Sequence, residues 1–186
     1  MRIDEDQFFY GAALIQIAEH PSFTAINDYK ENDATVRCAY GVNQNIGVYL
    51  RYDGRPRPEK EGDGVRKFFE YDFNFNRAAR DTLARMSGKF AHLYLGLVCV
   101  QSREICCVSY QEFQELLAFR ESLAGSEEQF TVNVRLLERS SFRVFVKEPG
   151  TRSKESRKPR TIGKNQFPSR IFGEGQGELT DHRPMT

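Results

Sequence analysis

The chain has 186 residues, 39% of them hydrophobic, with 27 Lys and Arg against 26 Asp and Glu. A chain of this size buries roughly two-thirds of the surface its unfolded form exposes, so its core needs neither a structural metal nor a disulfide framework. No segment approaches the ~20 apolar residues of a membrane helix, and the acidic start Asp4-Glu5-Asp6 lacks the basic n-region of a secretory signal, so a cytoplasmic protein is expected. The near-neutral total hides an asymmetry: residues 1–149 carry 19 basic and 22 acidic side chains, whereas residues 150–186 carry 8 and 4.

In chain order, a first helix is predicted from Glu5 to His20, with Asp4 as N-cap and Gln7 completing a capping box. Pro21 disfavours further helix. Its many apolar positions predict a helix buried on most sides and lying across a sheet. Alternation over Thr35–Val42 and again from Ile46, across the turn Asn43-Gln44-Asn45, predicts a hairpin. Residues 53–67, rich in Gly, Pro and charge, read as a long mobile loop.

Phe68–Phe75 reads as a strand with Phe69, Tyr71, Phe73 and Phe75 on one face and Glu70, Asp72 and Asn74 on the other. Asn76 caps a second helix that carries Arg77, Arg80 and Arg85, with Gly88 as its stop. Residues 90–108 are apolar on both strand faces around a polar break at 101–104, which predicts a hairpin covered on both sides. His92 falls inside it and reads as a hydrogen-bonded core residue. Ser109 and Glu112 form a second capping box, opening a third helix with Phe113, Leu116 and Leu117 inward. A final hairpin follows, its strands marked by Phe130–Leu136 and Phe142–Val146.

The predicted architecture is α+β: a central mixed sheet of about five to seven strands covered by three helices, in the order αβββαββαββ. Residues 1–149 form the domain, 150–164 a basic linker, 165–172 an apolar segment (Phe167, Pro168, Ile171, Phe172) that docks on the body or on a partner, and 173–186 a disordered tail. The four cysteines (Cys38, Cys99, Cys106, Cys107) all lie in strand-like segments and read as buried free thiols of a reduced compartment.

Phosphate-loop, dinucleotide-turn, nucleophile-elbow and paired-cysteine motifs are missing. Two features carry chemistry. Asp53 at a strand end, with Glu70 and Asp72 two residues apart on one strand face, supplies paired carboxylates, hard oxygen ligands able to hold Mg²⁺. The other feature is basic: Arg152, Lys154, Arg157, Lys158, Arg160 and Lys164 of the linker, extended by Arg77, Arg80 and Arg85, offer cations to phosphates. No aromatic is interleaved among the linker's cations, so contact with the backbone rather than base stacking is expected.

The order of elements over residues 5–100 resembles the core of the restriction-endonuclease-like superfamily, whose signature is PD…(D/E)xK. The resemblance implies a metal-dependent nuclease that uses Asp53, Glu70 and Asp72, although no Pro precedes Asp53 and Asp72 stands where the signature has Lys. FFYGAALIQIAEHPSF, VYLRYDG, LGLVCVQSREICCVS and RTIGKNQFPSRIF are similar to segments of small uncharacterised bacterial proteins. That implies one unit including FPSRIF and no particular activity.

The leading expectation is a small, non-catalytic binding module without a cofactor, contacting nucleic acid or an acidic partner through its basic surface and linker. A divergent Mg²⁺-dependent nuclease is the alternative. A protein–protein interaction role through the edge of the last hairpin, where Arg143 and Lys147 read as protection against pairing, comes third.

Overall fold

In the computed structural model, residues 2–61, 66–137, 141–150 and 159–173 are described. The expected class, α+β with three helices, is found, and the strands divide between two sheets of five rather than forming one. The first sheet contains β1 (Ile26–Glu31), β2 (Ala34–Val42), β3 (Ile46–Asp53), β6 (His92–Cys99) and β7 (Glu104–Ser109), in that order. It is mixed, because β3 and β6 run parallel over eight residue pairs, Ile46↔His92 to Asp53↔Cys99. The second contains β10 (Arg160–Ile162), β9 (Phe142–Phe145), β8 (Gln129–Leu137), β5 (Arg66–Asn76) and β4 (Arg57–Glu61), in that order, with every pair antiparallel.

The two sheets differ as their patterns require. The first is covered on both faces, so β6 is buried along its length apart from His92. That residue opens the strand at its exposed end, contrary to the expectation of a core histidine. One face of this sheet packs against the second sheet, α2 (Arg77–Lys89) and α3 (Tyr110–Ala124) through Tyr49, Leu95, Leu97, Phe73, Phe75, Leu83 and Phe113. The other packs against α1 (Glu5–Ala18) and the C-terminal segment through Val48, Leu50, Ala13, Ile17, Phe167 and Ile171. Adjacent Cys106 and Cys107 point into these two different cores, as successive strand residues must.

Both capping boxes form: Asp4 accepts the Gln7 N–H at 2.8 Å, and Ser109 accepts that of Glu112 at 3.2 Å. Asn76 caps α2 through the Ala79 N–H, yet Gly88 does not end this helix, which runs to Lys89 and stops where Phe90 turns extended. The Phe90 ring then covers Gly41 and Gly47, which face each other across β2 and β3. A Cβ on Gly47 would lie 2.7 Å from that ring and 2.9 Å from Leu93.

Helix α1 is not buried on most sides. Tyr10, Ala13 and Ile17 form its inward stripe, while Phe8 is 65% and Ile15 59% exposed. A helix laid on one sheet face covers only one of its own faces, whatever the composition of the rest.

Three strands, β1, β4 and β10, lie where no apolar pattern marks them. β4 occupies part of the expected 53–67 loop and pairs with β5 as an edge strand that tolerates Pro58. β10 lies inside the expected linker and is held by three residue pairs with β9 and the buried Ile162. β9 is consequently interior, and the edge expected of the last hairpin is covered. The segment after β10 crosses to the outer face of the first sheet. There Phe167 and Ile171 are buried and Arg170 donates to the Cys107 carbonyl (2.6 Å) and to Glu112 (2.9 Å). Of the tail assigned to 173–186, Gly173 is described, as the left-handed cap of the 3-10 helix Ser169–Phe172, and the rest lies outside the described residues.

Candidate functional site

Strand β5 alternates, so Tyr71, Phe73 and Phe75 enter the core and Glu70, Asp72 and Asn74 point to the outer face of the second sheet. Register sets their neighbours on that face: Glu70 lies opposite Arg135 on β8 and Arg57 on β4, and Asp72 lies opposite Asn133. Glu70 is nonetheless only 3% exposed, which is unusual for a carboxylate on an outer face.

Its compensation is cationic. Arg57 and Arg135 each donate to Glu70 at 3.1 Å, one to each oxygen, and the Lys147 ammonium pairs with the same carboxylate. Burial pushes the Glu70 carboxyl up, but the hydrogen bonds and charges of Lys147 and Arg135 overcome this and hold it below the usual carboxylate value. Arg135 is fixed in turn between the rings of Phe68 and Phe145, at 4.4 and 5.2 Å from their centroids.

Above this ion cluster lies an open hollow of about 300 Å³, walled by three cations, Arg57, Arg120 and Lys147, and three acids, Asp72, Glu127 and Glu148, with Thr131 and Asn133 between them. Asp72 accepts from Arg57 (2.6 Å) and from the Asn133 amide (2.6 Å). Arg120 forks onto Glu127 at 2.7 and 2.8 Å and donates to the Lys147 carbonyl. Arg57 is the most accessible cation of the Glu70 cluster: its side chain is 46% exposed, and its contacts with both carboxylates run through one nitrogen, Nη2. Gly150 completes the lining.

No protein-family model matches this chain, and no curated protein or solved structure matches it.

The structure brings Glu70 and Asp72 together on one face but directs Asp53 elsewhere. The Asp53 carboxylate accepts the main-chain N–H groups of Asp72 (2.9 Å) and Arg55 (2.8 Å), so it meets the backbone of Asp72 and not its carboxylate. Among the described residues no group of three or more His, Cys, Asp or Glu side chains is arranged to hold a metal ion. For Glu70 to ligate a divalent cation, Lys147 and Arg135 would have to withdraw.

The basic candidates divide. On α2, Arg80 donates to the Glu127 carbonyl (2.6 Å) and reaches Glu121, while Arg85 pairs with Glu31 at 2.7 Å. Arg77 stands exposed at the start of that helix. Arg160 pairs with Glu115, and Lys164 with Glu104 at 3.5 Å, so the body's own acids hold the C-terminal end of the expected linker. Arg152, Lys154, Arg157 and Lys158 lie outside the described residues.

Sequence reasoning missed Arg57, Asn133, Arg135 and Lys147. Arg57 sits in a stretch that reads as loop, and Lys147 reads as edge protection because β10, which covers that edge, carries no strand pattern. Asn133 and Arg135 alternate with Val132, Val134 and Leu136, and that alternation was the available signal for a polar outer face on β8.

Proposed function

We propose that the protein is a non-catalytic binding module that holds the phosphate backbone of a nucleic acid against the outer face of its second sheet. One observation carries this reading. The hollow on that face reaches Gly150, and β10 (Arg160–Ile162) is an edge strand of the same sheet. Between these two points the sequence carries Arg152, Lys154, Arg157 and Lys158 with one acid among them, and this run supplies the cations of the proposed contact.

Cations grouped in this way neutralise successive phosphates and release their counterions. With no aromatic among these cations, the contact is with the backbone and carries no sequence reading. Arg80 is engaged by Glu121 and largely covered, Arg85 pairs with Glu31 while its side chain stays 54% exposed, and Arg77 is exposed at the start of the same helix. The four unpaired thiols accord with a reducing, cytoplasmic setting.

The test is fluorescence anisotropy with labelled single-stranded and duplex oligonucleotides over a salt series. Four neutralised phosphates on duplex give log–log salt slopes of about −4, and charge reversal at Arg157 and Lys158 lowers the slope by about 2. Binding unchanged by that reversal contradicts the proposal. So does equal competition by poly-glutamate, which would assign the surface to an acidic protein instead.

A further inference from the structure

Helix α1 presents a second surface, unrelated to the sheet just described. Five large apolar side chains are exposed among the described residues, and three of them, Ile3, Phe8 and Ile15, lie on α1 or just before it. Phe8 and Ile15, with Ala12 between them, are spaced at helical intervals and form one outward stripe. Phe8 is held edge-on against Phe9 at 5.3 Å, and Phe9 against Tyr52 at 4.9 Å, so the stripe is supported from beneath.

Gly11 lies beside this stripe in mid-helix. A glycine there costs about 1 kcal/mol relative to alanine, and nothing in the folded chain requires it: a Cβ at Gly11 would meet no atom within 4 Å. It does line a hollow of about 390 Å³ between α1 and the first two strands, together with Asp4, Asp6, Asp28, Arg37 and Tyr40. A glycine with no contact to a neighbour, at the lip of an open hollow, leaves room for close approach from outside.

The charges select the visitor. All charged residues of α1 are acidic (Glu5 and Asp6), as are its caps Asp4 and Glu19, and the hollow adds Asp28. Of the hollow's charged residues only Arg37 is basic, and Asp4 lies 3.5 Å from it. A second copy docked through the same face would bring acid against acid, and an anionic lipid surface would be repelled.

We propose that the outer face of α1 docks a basic amphipathic segment of a partner protein, which lays apolar side chains on Phe8, Ala12 and Ile15, passes closely over Gly11 and places a Lys or Arg in the acid-lined hollow. Helix-on-helix recognition of this kind uses apolar anchors at helical spacing, with charge setting the choice of partner.

The probe is a labelled amphipathic Leu/Lys helical peptide, with a Leu/Glu peptide of the same pattern as control, titrated into the full chain by anisotropy and by NMR. Binding of the Leu/Lys peptide, with shifts at residues 5–18, is expected. Gly11→Gln fills the hollow while improving helix propensity, so it weakens binding at least about tenfold without lowering the melting temperature. Ile15→Ser has the same effect on binding. The proposal is overturned if Gly11→Gln binds the peptide as well as the original chain or if the shifts fall outside α1. It is equally overturned if Ile15→Ser abolishes self-association of the chain, or if phosphatidylglycerol vesicles bind in the peptide's place.

Discussion

Replacing Glu70 by glutamine tests whether the ion cluster beneath the outer face is held together by its single buried carboxylate. Glutamine keeps the shape and one acceptor oxygen but removes the charge that Lys147 and Arg135, whose side chains are 16% and 14% exposed, both meet. Removing one partner of a buried pair costs about 3–5 kcal/mol. Arg57 adds little, since it is half exposed and keeps Asp72, and exposed pairs contribute about 0–1 kcal/mol. The expected loss is therefore about 3 kcal/mol, toward the lower end because glutamine still accepts a hydrogen bond. With a urea m-value of about 2 kcal/mol/M the midpoint falls by about 1.5 M.

The same substitution has a pH signature. The folded-state carboxyl of Glu70 is held below its unfolded value, so its contribution is fully present above the ordinary Glu range near ~4.3 and is lost as pH falls through the lower folded value. The gap between the original chain and Glu70→Gln is accordingly widest at neutral pH and closes in acid. Urea melts of both proteins from neutral pH to about pH 3 measure it. A loss below about 0.5 kcal/mol, or a gap that does not change with pH, would show that Glu70 does not hold the cluster together.

Three further outcomes follow from the packing. Gly47→Ala places a methyl 2.7 Å from the Phe90 ring and lowers stability by about 1–3 kcal/mol in the same melts. Burial pushes the Cys107 thiol up to about 12, and raises those of Cys99, Cys106 and, less completely covered, Cys38. Ellman's reagent at neutral pH therefore titrates at most Cys38 in the native protein and all four thiols in denaturant. Arg170→Ala removes the bonds to the Cys107 carbonyl and to Glu112, so limited proteolysis cuts within 163–173 before it cuts the domain, whereas unmodified protein resists there.

What the sequence disclosed depended on whether side chains or backbone hold an element. Capped helices and strands with apolar alternation were legible, as Asp4 with Gln7 and Phe73 with Phe75 illustrate. Polar edge strands were not, because pairing with a neighbour holds them. β1 buries only Tyr29, and its one local signal was Asn32-Asp33, both at positive φ in the turn that joins it to β2. β4 and β10 carry no comparable mark.

The same cause limited the reading of the site. Glu70 and Asp72 were visible as a pair on one face, but their cations come from β4, β8 and the residues after β9, and only sheet order brings these together. The number of sheets was open for a related reason: periodicity tells a strand buried on both faces from one with a polar face, but not which strands pair.

Contact of nucleic acid with the proposed outer face of the second sheet can be read residue by residue. Titration of the intact, isotopically labelled protein with an unlabelled oligonucleotide at low salt tests it most directly. Shifts are expected at Thr131, at the Asn133 side-chain amide and at Gly150, which line the hollow, with their reversal on adding salt. Shifts confined to α1, or none at saturating oligonucleotide, contradict it.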